Sequence, residues 1–320
     1  MTNELELPKK PSFITPALIG TVSLFIALVP ISLAPILVKF CEEEISSNAV
    51  AFYRGLIGTL AFGLLSGIDT VRRQQPGTKP VEVQPFTKRE VWLFLGMGIA
   101  AATYFILWAW SLNQTTVANV TLLFGLNPVF IGLAGWSLFG QQFDRKFLVG
   151  MMMSMGGAIA IGFNDVQFGT DQLQGDAIAL LSGVSFAAYL ILVEKLRDNF
   201  STATIMLCRC GFTTLFSLPI IFAEERLFPY SAVGWFLLIF QCLFCQVLGQ
   251  GLLAYSLSKL SAGFVAITLL IEPILASILA WIIFSERLGF SDWVAFSVVL
   301  CGIFLAQSSR FAVKITNGGV

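Results

Sequence analysis

Residues 261–284, SAGFVAITLLIEPILASILAWIIF, form an apolar run with one glutamate and one proline at its centre. About 20 apolar residues cross a bilayer as a helix, and this run exceeds that. Glu272 stands near its midpoint, so its carboxyl group is expected near the bilayer midplane. Pro273 has no N–H, so the carbonyl of Leu269 loses its helical partner and the helix is expected to kink. A carboxyl group beside a freed carbonyl, deep in hydrocarbon, survives only where it faces other helices or a water-filled cavity. The chain must therefore build a bundle with a polar interior.

The same stretch occurs earlier, offset by 145 positions. Ala109, Ser111, Leu112, Pro128, Trp136, Phe139 and Gly157 match Ala254, Ser256, Leu257, Pro273, Trp281, Phe284 and Gly302 without a gap. Asn127 then stands where Glu272 stands. Interrupted apolar segments at corresponding places in two halves point to a transporter's central site.

Composition agrees. Hydrophobic residues make up 56% of the 320 and charged residues only 12%. A soluble domain carries about 25% charged residues, so the chain reads as a polytopic membrane protein with the lipid bilayer as its main solvent. The net charge of zero gives no reason to expect a nucleic-acid partner. Histidine is absent, which removes the usual general base, haem ligand and metal ligand. No cofactor, metal site or catalytic residue is expected. The six cysteines fall mostly inside apolar runs and read as buried thiols at helix interfaces.

Ten spans follow at roughly 14–38, 48–67, 91–112, 117–139, 147–163, 174–194, 202–223, 232–258, 262–284 and 290–308, an all-α architecture. Residues 1–13 form a polar N-terminal segment, 14–163 a first five-helix repeat, 174–308 a second, and 309–320 a C-terminal tail. The proline-rich stretch 68–90 reads as an exposed linker. With the N-terminus in the cytoplasm, fourteen of the 19 Lys and Arg lie on the inner side. Lys39, Arg226 and Arg287 lie outside, and Arg54 and Arg209 lie within spans. The positive-inside rule thus places both termini in the cytoplasm of a multi-pass plasma-membrane protein. An odd number of helices per half makes the two repeats inverted.

Arg54 in AFYRGLIGTL, the polar–proline break at Asn127 and Pro128, and LLIEPILASILAWIIFSERL around Glu272 together resemble the EamA-type family of the drug/metabolite transporter superfamily. The resemblance covers about 14–308. It implies a ten-helix carrier with helices 1, 3, 4, 6, 8 and 9 lining the cavity, moving small molecules, commonly amino acids and related metabolites, outward. It names no cargo.

Several residues are candidates for the substrate site. Glu272 takes up a proton or binds a cationic group, or else stabilises the kink. Asn127 bonds cargo, or satisfies the carbonyl freed at Phe124 by Pro128. Arg54 and Arg209 lie about 10 Å inside their helices at 1.5 Å per residue, and either bind a carboxylate, snorkel, or pair with helix-end carbonyls. Gln246 and Gln250 are four apart and share a helix face, which is expected to meet protein or water. Trp108, Trp110, Asn113, Tyr189 and Tyr255 complete the set. Trp108 also suits an aromatic belt. Pro128 and Pro273 are structural.

The leading expectation is a secondary transporter exporting a small organic metabolite by alternating access, with a proton as a candidate coupling ion. No G-x-x-x-x-G-K-[ST] sequence is present, so this chain does not itself use ATP through such a loop. A sugar-phosphate or nucleotide-sugar exchanger is the alternative within the superfamily. It needs basic residues to meet phosphate, and none lies in 262–284 or 290–308. An ion channel is the alternative from another class. Nothing in the sequence fixes an oligomeric state.

If the Glu272 carboxyl carries the coupling proton, Glu272→Gln flattens the pH dependence of transport. An unchanged pH profile removes that role.

Overall fold

The computed structural model describes residues 16–73, 87–112, 114–115, 120, 123–139, 143–162, 173–222, 226–284 and 289–309. These residues form ten helical segments in chain order. The first repeat contains α1 (Pro16–Glu42), α2 (Ser47–Arg73), α3 (Lys88–Leu112), α4 (Asn127–Phe139) and α5 (Arg145–Gly162). The second contains α6 (Leu173–Leu196), α7 (Thr202–Ile221), α8 (Ala232–Ser256), the broken pair α9a (Ala262–Leu269) and α9b (Glu272–Phe284), and α10 (Phe290–Gln307). Five described helices are individually long and apolar enough to cross a membrane.

Helices extend beyond the apolar runs that define them. α1 continues to Glu42 and α2 to Arg73, ahead of Pro76, so the stretch read as a linker from 68 begins and ends as helix. Residues 74–86 lie outside the described set. Helical hydrogen bonding need not stop where an apolar run ends.

The packing obeys a twofold exchange. Numbering each helix in one repeat against its mate five places on, α2 packs along α7 and α5 along α10, and each of these pairs maps onto itself. The pairing of α3 with α6 exchanges with that of α1 with α8. The contact of α4 with α6 exchanges with that of α9b with α1, and α3 with α7 exchanges with α8 with α2.

The exchange holds at atomic scale where α5 crosses α10. A Cβ on Gly157 would lie 2.9 Å from the Val299 nitrogen and 2.9 Å from the Ala295 carbonyl oxygen. A Cβ on Gly302 would lie 2.6 Å from the Ser154 nitrogen and 2.7 Å from the Gly150 carbonyl oxygen. Shifting one set by 145 positions produces the other. Without water exclusion between them, helices associate in lipid through such close approach of small residues. The Ser154 hydroxyl also donates to the Val299 carbonyl (3.3 Å), filling the seam with a polar contact.

The proline breaks match as closely. The amide of Leu126 donates to the carbonyl of Leu123 (3.2 Å), and that of Ile271 to Thr268 (3.0 Å). Phe130 donates to Leu126 (3.4 Å) as Leu275 does to Ile271 (3.0 Å). Each helix tightens into an i→i+3 turn before its proline, then restarts at Asn127 or Glu272. α1 shows the contrast, because it stays helical through Pro30 and Pro35.

Gly156 has nothing within 4 Å of an added Cβ, whereas its neighbour Gly157 has no room for one. Gly157→Ala is expected to cost about 1–3 kcal/mol through overpacking, and Gly156→Ala close to nothing. Thermal unfolding of the detergent-purified variants, followed by size-exclusion chromatography, measures the difference.

Candidate functional site

The restarted helices put Asn127 and Glu272 at equivalent helix N-termini. There the unpaired N–H groups and the partial positive charge of the helix dipole favour polar or anionic groups. Asn127 is buried, with its side-chain oxygen close to where a Cβ on Gly183 of α6 would stand (3.3 Å). That oxygen has no hydrogen-bond partner among the described residues. Glu272 is half-buried. The apolar residues on both sides of the two breaks belong to one core that also holds Phe186 and Tyr189 of α6.

Of the two span arginines, Arg54 is half-buried and Arg209 buried. Neither pairs with a helix-end carbonyl among its described contacts. Arg54 donates from Nη2 to the side-chain oxygen of Gln246 (3.3 Å) and lies over the Phe105 ring, 5.6 Å from its centroid. The Gln246 amide nitrogen contacts the Cys210 sulfur (3.4 Å). The residue before that cysteine, Arg209, is only 5% exposed. It donates from Nη2 to the Tyr104 hydroxyl (2.6 Å) and lies over the Tyr189 ring at 5.0 Å. A chain of polar contacts thus runs from α2 through α8 and α7 to α3 and α6. The pattern again exchanges, since Arg54 reaches α8 and Arg209 reaches its mate α3.

Aromatic rings enclose the Arg209 end. Tyr104 packs against Phe186 (5.0 Å) and Tyr189 (5.7 Å), and Phe186 packs against Phe124 (5.0 Å). Such pairs fix the positions of the rings that flank the guanidinium.

α8 carries a second irregularity. Residues Cys242–Gln250 are π-helical, a wide-turned form usually confined to single turns and frequent at functional sites. The segment places buried Gln246 toward Arg54. Gln250 also lies on it, its side-chain oxygen without a partner among the described residues. Gly249 meets Pro30 of α1, where an added Cβ would stand 3.2 Å from the proline ring.

The remaining candidates scatter. Tyr189 is fully buried at the Arg209 site. Tyr255 lies nine residues beyond Gln246, about 13 Å along the axis. Trp108 is half-buried against Phe105 (6.0 Å), and Trp110 is half-exposed. Asn113 lies outside the described residues. Pro128 is buried, and Pro273 follows Glu272 in the first turn of α9b. The helices expected to line the cavity omit α2 and α7, which supply both arginines. Sequence reasoning also missed Tyr104, Cys210, Phe186 and Ser182. A tyrosine within the apolar run of α3 was the available signal. At one end of the bundle, a separate cavity of about 470 Å³ is lined by Glu43, Glu44, Arg226, Leu227, Phe228 and Tyr230, none of them a sequence candidate.

Comparison with known proteins places this geometry. The EamA-like transporter family matches residues 18–163 and again 173–307. The transporter YetK of Bacillus subtilis is 26% identical over 226 residues, 68% of each chain. A transporter of Archaeoglobus fulgidus is 22% identical over 86% of this chain and 92% of its own. The pseudopaline exporter CntI of Pseudomonas aeruginosa is 23% identical over 78% and 82%. One crystal structure superposes with a TM-score of 0.71, covering 90% of this chain and 96% of its own at 17% identity, which shows a shared fold.

Removing the Tyr104 hydroxyl leaves Arg209 without its described hydrogen bond. Tyr104→Phe is expected to lower stability by about 1.5–3 kcal/mol, the range for hydrogen bonds to charged groups. Ser185→Ala, on the exposed side of α6, serves as the control in the same thermal melts.

Proposed function

Because this chain belongs to the EamA-like transporter family, we propose that it exports small organic metabolites such as amino acids across the plasma membrane by alternating access. The observation that carries this reading is the pair of matched breaks, with their hydrogen bonds equivalent at a 145-residue offset. Two inverted halves that can trade conformations about a shared centre open that centre to each side in turn. The name of one relative, a pseudopaline exporter, points in the same direction.

In this reading both termini face the cytoplasm, as the excess of inner Lys and Arg implies. Asn127, Glu272, Gln246, Gln250 and Tyr189 contribute to the translocation path, and Glu272 is the candidate for a coupled proton. Trp108, Trp110, Asn113 and Tyr255 have second rank. The end of α1 and the start of α8 close one side. There the Glu44 carboxylate accepts from the Ser231 amide (3.1 Å), and the Ser231 hydroxyl caps α8. The mate of that contact is at the end of α6, where Asn199 donates to Glu90 (3.2 Å) at the start of α3. Each tie has to open in the state that exposes the centre to its own side.

The test compares metabolites in the medium of cells with and without the protein, followed by uptake into inverted vesicles. At least one small metabolite is expected to accumulate outside in a protein-dependent way and to enter inverted vesicles saturably. Single-channel currents, or no compound moved in either assay, would end the proposal.

A further inference from the structure

Arg209 presents a buried cation with unused hydrogen-bonding capacity. Tyr104 accepts one of its five N–H groups, and neither Nε nor Nη1 has a partner among the described residues. Whichever Nη2 hydrogen the tyrosine takes, one parallel pair of N–H groups stays open. Glu272, the one carboxylate deep in a span, is not among the described contacts of Arg209. A charge in hydrocarbon without a counter-ion is expensive, and buried donors are normally satisfied.

The surroundings repeat the deficit. The buried hydroxyl of Tyr189, whose ring lies under the guanidinium, has no partner among the described residues, nor does the Ser182 hydroxyl on the same helix. Ser182, Phe186 and Tyr189 stand at i, i+4 and i+7, so they form one stripe of α6 about 10 Å long. The unpartnered Asn127 oxygen meets α6 at Gly183, beside the far end of that stripe. The stripe offers donors at Arg209, Tyr189 and Ser182 and an acceptor at Asn127, with Phe186 and Phe124 between.

We propose that Arg209, with the Tyr189 hydroxyl, is the anion subsite of the transported molecule and takes its carboxylate group. This rests on the exporter reading above for the word transported, but not for binding. A paired N–H face matches the two oxygens of a carboxylate, and the charge-assisted bonds supply the counter-ion that no described residue provides. Inorganic phosphate fits less well. Its second charge calls for another cation, while Arg54 is already engaged by Gln246. The cargo that satisfies both ends of the stripe carries a carboxylate and an N–H or O–H donor, with an apolar middle.

The experiment measures thermal shifts of the full chain purified in detergent. The probes are millimolar benzoate, 3-phenylpropionate and L-phenylalanine, the amide of each, and inorganic phosphate. At least one carboxylate is expected to raise the melting temperature while its amide does not. Arg209→Gln is expected to weaken that carboxylate at least about tenfold, the loss typical of a charge-assisted pair. Tyr189→Phe keeps the ring under the guanidinium and is expected to weaken it by a smaller factor, which decides the matter if Arg209→Gln does not fold. Stabilisation by no carboxylate, by acid and amide alike, by phosphate alone, or undiminished in both variants overturns the subsite. Binding with this pattern but no carboxylate flux in proteoliposomes would remove the exporter reading and keep the subsite. Carboxylate flux unaffected by both Arg209→Gln and Tyr189→Phe would do the reverse.

Discussion

In hydrocarbon every backbone N–H and C=O must find a partner inside the protein, and the two proline breaks are where that demand is hardest to meet. Each break places a ring where a helical donor should be, and each is handled alike. The turn before it tightens to i→i+3 bonding, and the helix restarts on a polar residue. Both breaks are embedded in the main core and flanked by α1 and α6, their partners under the exchange. Helix termini inside a membrane are tolerated only where protein or water covers them, so the breaks oblige the rest of the bundle to close around them. The small-residue seam between α5 and α10, and the close contact of α2 with α7 where Gly55 meets Cys210 and Thr214, hold that enclosure together.

The polar centre follows from the same constraint. Arg54 and Arg209 would be ruinous on a lipid-facing surface, and each is turned inward toward the other repeat's third helix. The contacts differ because the sequences have drifted. Arg54 meets an amide and Arg209 a phenol, and the glutamate of one break is matched by an asparagine in the other. A symmetric frame thus carries asymmetric polar contacts.

Much of the frame was legible in the sequence. The 145-residue offset, read from Pro128 against Pro273 and Gly157 against Gly302, anticipates the twofold arrangement of breaks and seam. Odd helix number and the distribution of Lys and Arg then imply inversion. The lining was harder to read. Gln246 and Gln250 stand out because amides are rare in apolar runs, but the π-helical winding from Cys242 to Gln250 leaves no periodicity in so short a segment. Tyr104 resembles any aromatic residue of a span until Arg209 is seen to reach it from another helix, 105 positions away. Residue types reveal which groups must avoid lipid. Which of them meet is decided by helix rotation and crossing, and those depend on the packing of the whole bundle.

The seam of α5 with α10 has a wider implication, since where Gly157 meets Ala295 and Val299, their mates Gly302, Gly150 and Ser154 meet as well. A patch complementary to itself under a twofold is the defining property of an isologous homodimer interface. The chain is therefore organised as a fused antiparallel dimer, its two protomers free to diverge in sequence once covalently joined. Divergence has reached the breaks, where glutamate in one half stands at the position of asparagine in the other, and has spared Gly157 and Gly302, at which neither half could change without displacing the backbone of the other.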